Sequence, residues 1–229
     1  MHKSMSILIT YTIIFISLGG AQECTSKSKK PKSQIQSDSI FSPNIDSLTM
    51  YSRIELIRQL DSILKIDQKD RSNIWNARKK FGNESDTIKK LMKIMTSHDS
   101  TNLIIVTKIL DQYSWLGPRD VGYNGNKALF LVIQHSNKEI MEKYFPMMKE
   151  AVKEGNAKPE LFALLVDRIE MLNGRPQIYG SQMQIINGKR VLYQVIDIKN
   201  VNKRRAEVGL ESLEEYLRLA GVEFKMPNN

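Results

Sequence analysis

The segment Ala128-Leu129-Phe130-Leu131-Val132-Ile133 is apolar on every side and stops abruptly at Gln134 and His135. A helix that is hydrophobic all round has to be central, wrapped by other elements. Any fold of this chain must therefore bury residues 127–135 and find partners for the polar pair at their end. The same oddity recurs twice downstream. Asp167 and Arg168 interrupt the apolar helix that holds Leu161, Leu164, Leu165 and Leu172. Gln177, Tyr179, Ser181 and Gln182 then fall within a short Gly/Pro-punctuated segment. Polar groups on core faces cost free energy unless they are paired or used. The cluster therefore forms a buried hydrogen-bond network or lines a pocket, and the sequence leaves both open.

Apolar periodicity surrounds these segments with helices. Ile54, Ile57, Leu60 and Leu64 mark a helix over 52–66, and a second follows over 68–81, stopped by Gly82. Residues 84–95 and 102–113 read as two more, with His98 and Asp99 at a helix end between them. Trp115-Leu116-Gly117-Pro118 forces a turn before the central helix at 127–135. Residues 138–153 form an amphipathic helix that Pro146 bends, and Pro159 opens a helix running to Leu172. Between Ser181 and Ile196, alternating apolar residues flank Asn187-Gly188, a hairpin signal. A short basic helix at 200–208 and a last helix capped by Ser212 complete the pattern. The fold expected is mainly α, one helical domain of about seven to nine helices with one small C-terminal β-hairpin.

The N-terminus predicts export. Lys3 precedes an apolar run from Ile7 to Leu18, and Gly19-Gly20-Ala21 follows. That is the three-part pattern of a secretory signal peptide over 1–21, since the run falls short of the about 20 residues a bilayer span needs. Residues 22–45 are rich in Ser, Lys, Pro and Gln and read as a disordered tether, leaving 46–229 as the folded domain. Cys24, the one cysteine of the chain, sits just past the expected cut. It is either a lipidation site or a stray thiol in the tether. Small residues should directly precede a lipidated cysteine, and Gln22-Glu23 do not fit that. With one cysteine the body has no internal disulfide and depends on packing. The expected location is periplasm, cell surface or medium, with membrane contact only through an N-terminal lipid.

The net charge of +9 is spread among 25 acidic residues rather than gathered in a basic stripe with interleaved aromatics, so a nucleic-acid partner is not expected. No His-x-x-x-His or cysteine pair offers a metal site, no Gly-rich loop after a strand offers a nucleotide site, and no cofactor is expected. As an enzyme, the chain would use His135 as acid or base, with Asp167 orienting it and Arg168 holding an anion. Gln134, Gln177, Tyr179, Ser181 and Gln182 would form a neutral hydrogen-bonding wall for an envelope ligand, a sugar or peptide processed by hydrolysis or transfer. A Ser181-His135-Asp167 triad can be drawn, but no nucleophile-elbow sequence surrounds Ser181. The competing expectation is a non-catalytic binding module in which the same residues are a rigid network.

These motifs together resemble an uncharacterised bacterial domain family found in secreted and lipoprotein-like chains. The resemblance rests on Gln134-His135, Asp167-Arg168 and Gln177-x-Tyr179-Gly180-Ser181-Gln182. Asp67-Gln68 with Arg71, Trp115 with Pro118 and Gly122, Arg204-Arg205, Gly209-Leu210 and Tyr216 add to it, so that it covers about residues 55–220. Ser181 stands where the pattern has Thr, and Leu116-Gly117 separate Trp115 from Pro118. The family carries no established activity. The resemblance implies domain boundaries and a shared polar site, and no catalytic role.

Overall fold

The computed structural model describes residues 50–186 and 189–227. The expected signal segment, the tether with Cys24, the domain start at 46 and the Asn187-Gly188 turn lie outside the described residues. The fold is mainly helical, as expected. It runs α1 (Met50–Phe81), α2 (Asp86–Tyr113), α3 (Pro118–Gln134), α4 (Lys138–Lys153), α5 (Pro159–Leu172), β1 (Met183–Ile186), β2 (Lys189–Leu192), α6 (Val201–Glu207) and α7 (Leu213–Leu219). Among the described residues no helix is long and apolar enough to cross a membrane.

Two pairs of expected helices are each one helix. Residues 52–66 and 68–81 join as α1, because Asp67 and Gln68 contain no breaker and Asp67 is held within the helix by Gln68 and Arg71. Residues 84–95 and 102–113 join as α2. The polar stretch between them is helical, with Ser100 Oγ donating to the Thr96 carbonyl at 2.8 Å and Thr101 Oγ1 to that of Ser97 at 3.1 Å, and with His98 and Asp99 paired to Asp70 and Arg71 of α1. His98 and Asp99 therefore sit in mid-helix, not at an end.

Gly82 takes a left-handed turn after α1, and Ser85 Oγ caps α2 by accepting the Ile88 amide. The expected central helix is longer than its apolar run. It starts at Pro118, with Asp120 accepting the Gly117 amide at 2.9 Å, and breaks at Gly122, whose φ of +71° is outside the helical range. Asn126 Nδ2 donates to the carbonyls of Leu116 and Asn156, tying the turn before α3 to the turn before α5.

The main core forms where α1, α2, α4 and α5 surround α3. It contains Leu60, Ile63, Val106, Leu110, Leu129, Phe130, Ile133, Met141, Met148 and Leu165, all buried. Each such side chain stabilises by about 1.5–3 kcal/mol relative to an exposed one. A second cluster, Met183, Val201, Leu213, Leu217 and Val222, lies in the C-terminal unit. There β1 and β2 pair antiparallel, with Met183 opposite Leu192 and Ile186 opposite Lys189. A third, Ile74, Ala77, Ile88 and Met95, lies between α1 and α2 near the turn that joins them.

Candidate functional site

A polar layer separates the main core from the third cluster. The buried stripe of α1 runs through Leu56, Leu60 and Ile63, then Asp67, Asp70 and Arg71, then Ile74 and Ala77. The stripe of α2 shows the same interruption: His98, Asp99 and Asn102 stand between Met95 and Val106. Two rungs cross between the helices. His98 Nδ1 lies 2.6 Å from Asp70 Oδ2, and Arg71 Nη2 donates to both Asp99 oxygens at 3.2 and 3.3 Å. The C-terminal end of α3 brings His135 into the same layer.

Arg71 is the hub. Its Nη2 also lies 3.0 Å from Asp67 Oδ1, and its Nε is 2.9 Å from His135 Nδ1 and 3.3 Å from Nε2. Asp67 Oδ1 is 3.0 Å from the same Nδ1. Nδ1 of His135 faces both the Asp67 carboxylate, which only accepts, and Arg71 Nε, which only donates, and it can serve one of them. With Nδ1–H given to Asp67, the acceptor left for Arg71 Nε is the Nε2 lone pair at 3.3 Å. Burial holds His135 neutral, with its pKa lowered to about 4; the Asp67 hydrogen bond opposes that shift and the Arg71 and Arg168 charges reinforce it. Burial pushes Asp67 up, but His135's hydrogen bond and the Arg71 charge bring it below the ordinary carboxylate range. Asp99 goes the other way, raised by burial and by repulsion from Asp67 and Asp70 against the pull of Arg71. Two carboxylates on one guanidinium are thus driven apart in proton affinity.

The layer opens to solvent on one side. The side chains of Asp67, Arg71 and His135 are 2%, 3% and 6% exposed, whereas Asp99 is 23% and His98 45% exposed. Among the described residues no group of three His, Cys, Asp or Glu side chains could hold a metal ion.

The downstream candidates form a second network. Asp167 does not contact His135. It is fully buried on α5 and accepts the amides of Ile178, Tyr179 and Ser181 at 2.7–2.8 Å. Burial pushes its pKa up, and the three amides pull it back. The carboxylate that orients His135 is Asp67. Gln177 Nε2 donates to the Gln182 and Tyr193 carbonyls, and its Oε1 accepts the Gln182 amide at 2.7 Å. Gln182 Nε2 donates to Ser181 Oγ at 3.0 Å. No contact among the described residues joins Ser181 to His135, so the triad drawn from the sequence is not assembled. Tyr179 contributes its backbone, the amide to Asp167 and the carbonyl to Arg205 Nη1. Tyr216 Oη donates to the Ser181 carbonyl, and Arg204 to that of Ile178.

Arg168 lies between the networks. It is buried, its Nη1 is 3.4 Å from Gln182 Oε1, and its charge acts on His135. Gln134 is buried beside them. Its Nε2 reaches the Leu164 carbonyl at 3.4 Å, and its Oε1 has no hydrogen-bond partner among the described residues.

Sequence reasoning on its own missed Asp70, Asp99 and Asn102 as site residues, read His98 as a helix end, and met Asp67 and Arg71 only in the family resemblance. The available signal was in α1, where Asp67, Asp70 and Arg71 continue the apolar register of Leu60 and Ile63.

Residues 55–226 match the model of a family of unknown function (DUF6624), and the chain belongs to that family. No curated protein and no solved structure matches it.

Proposed function

We propose that this member of the DUF6624 family is an exported protein whose α1–α2–α3 polar layer is an acid–base site acting on an envelope ligand by hydrolysis or transfer. The observation that supports this reading is the neutral His135 imidazole fixed through Nδ1 by Asp67, with two arginines bearing on it. Arg71 joins the neutral imidazole to Asp99, a carboxylate of raised pKa, and a base and an acid held in one layer are what proton transfer requires. Arg71 and Arg168 favour a ligand with an anionic or carbonyl group. The Asp167–Gln177–Ser181–Gln182 set is assigned a structural role, because these side chains bond one another and nearby backbone. For that half of the candidate set the rigid-network reading is favoured over a ligand wall.

The test is turnover by purified protein of peptide p-nitroanilides, p-nitrophenyl glycosides and isolated cell-wall fragments. His135→Gln should lower the rate about 100-fold while leaving the melting temperature within a few degrees of wild type. Equal turnover by the variant, or turnover and binding of none of these classes, overturns the reading. Export is proposed from Lys3, the run Ile7–Leu18 and Gly19-Gly20-Ala21. Mass spectrometry of the mature N-terminus tests it, and an unmodified chain starting at Gln22 excludes a lipid on Cys24.

A further inference from the structure

We infer that the His98–Asp70 pair is the solvent-facing general base of this site, activating water against the carbonyl carbon of an ester or amide. The inference rests on the acid–base reading of the polar layer and assigns the outward role to a different histidine. His135 is 6% exposed and has Arg71 Nε against both ring nitrogens, so it exchanges protons through the groups of the layer and not directly with water. His98 has no such obstruction. Asp70 accepts from Nδ1 at 2.6 Å, which leaves Nε2 as the ring's lone-pair nitrogen on a side chain that is nearly half exposed. The Asp70 side chain is only 11% exposed and is fixed on α1, so the imidazole is held in one tautomer and one direction.

One further observation points to a ligand here. Asn102 stands one helical turn beyond His98 on α2, buried, with Nδ2 lacking any acceptor among the described residues. An acceptor atom brought by the ligand, or a water held with it, answers that donor. The hydroxyls of Ser100 and Thr101 donate to carbonyls of α2 and not to His98, so the nucleophile assigned to His98 is water. In the step, His98 Nε2 takes a proton from water as the water oxygen bonds to the carbonyl carbon. The tetrahedral adduct then breaks its bond to the alkoxy or amine group, which leaves with the proton from His98. Acid and alcohol, or acid and amine, are the products, and His98 returns neutral.

The probe is p-nitrophenyl acetate with the full folded protein. Wild type should hydrolyse it faster than the urea-unfolded chain at equal concentration. His98→Gln should lose at least 10-fold and Asp70→Asn a smaller part. Diethylpyrocarbonate should modify His98 before His135 by peptide mass spectrometry, abolish the rate, and release it again on hydroxylamine treatment, a check that does not depend on any variant folding. If His98→Gln keeps the wild-type rate while His135→Gln loses it, the inference is overturned and the acid–base reading stands. If both variants keep the rate, or the folded protein is no faster than the unfolded chain, the inference is overturned; the turnover test with His135→Gln still decides the broader reading.

Discussion

Asp67 and His135, 68 positions apart in the chain, meet at 3.0 Å with both side chains almost closed to water. The contact joins the middle of α1 to the end of α3. It is costly to break on one side only, because a buried partner is then left unpaired. Asp67→Ala should destabilise by about 3 kcal/mol, since Arg71 keeps Asp99 but His135 loses its acceptor. The double variant Asp67→Ala/His135→Leu should lose less than the sum of the singles. Urea unfolding of all four proteins measures the coupling, and strict additivity would mean that the contact contributes nothing.

The neutral state of His135 has a consequence for acid stability. Its pKa is about 4 in the folded protein against 6.5 for an unperturbed histidine. Between these values the unfolded chain binds a proton that the folded chain does not, so stability falls as pH falls through that window. The loss from pH 7 to pH 4.5 should be about 2 kcal/mol. Asp99, with its raised pKa, works in the opposite direction, so the control is His135→Gln, which retains Asp99. The variant should show a flatter pH dependence than wild type. Identical slopes would show that His135 does not carry the effect.

Asp167 anchors the C-terminal unit to α5 through the amides of Ile178, Tyr179 and Ser181. Asp167→Asn keeps the shape but points an amide group, with one fewer acceptor, at three buried donors. The expected cost is about 3 kcal/mol. Hydrogen exchange at Ile178, Tyr179 and Ser181 should accelerate ahead of exchange in α3. Uniform acceleration across the chain would indicate that the segment unfolds only with the whole domain.

How much of this was legible in the sequence depends on what each residue's partner was. The helical class, the limits of α4 and α5, and the C-terminal hairpin followed from apolar periodicity and, for α5, from Pro159, which act locally. The joins inside α1 and α2 were not legible, because Asp67-Gln68 and Thr96–Thr101 look like polar connections until one sees that each finds partners on a neighbouring helix or one turn back. The polarity of Asp167 and Gln177 was read as a hint of chemistry, yet their partners are backbone groups, which a side-chain pattern does not reveal. His98 looked peripheral because Asp70 lies 28 positions away, and only the pairing of α1 with α2 brings them together.

Gly180, in the anchored segment, packs beside Leu213 of α7 and adopts a φ of +78°. A Cβ added there would lie 2.8 Å from Leu213 Cδ1, a buried side chain of the second cluster. Gly180→Ala therefore meets two penalties at once, a left-handed backbone that L-residues resist and an overlap with the core. About 2 kcal/mol is expected from the sum. Leu213→Ala relieves the overlap but not the backbone strain, so Gly180→Ala should cost less in a Leu213→Ala background than in wild type. Thermal unfolding of the four proteins decides between the causes. An equal cost in both backgrounds would assign the whole effect to the left-handed backbone, leaving no part for the contact with Leu213.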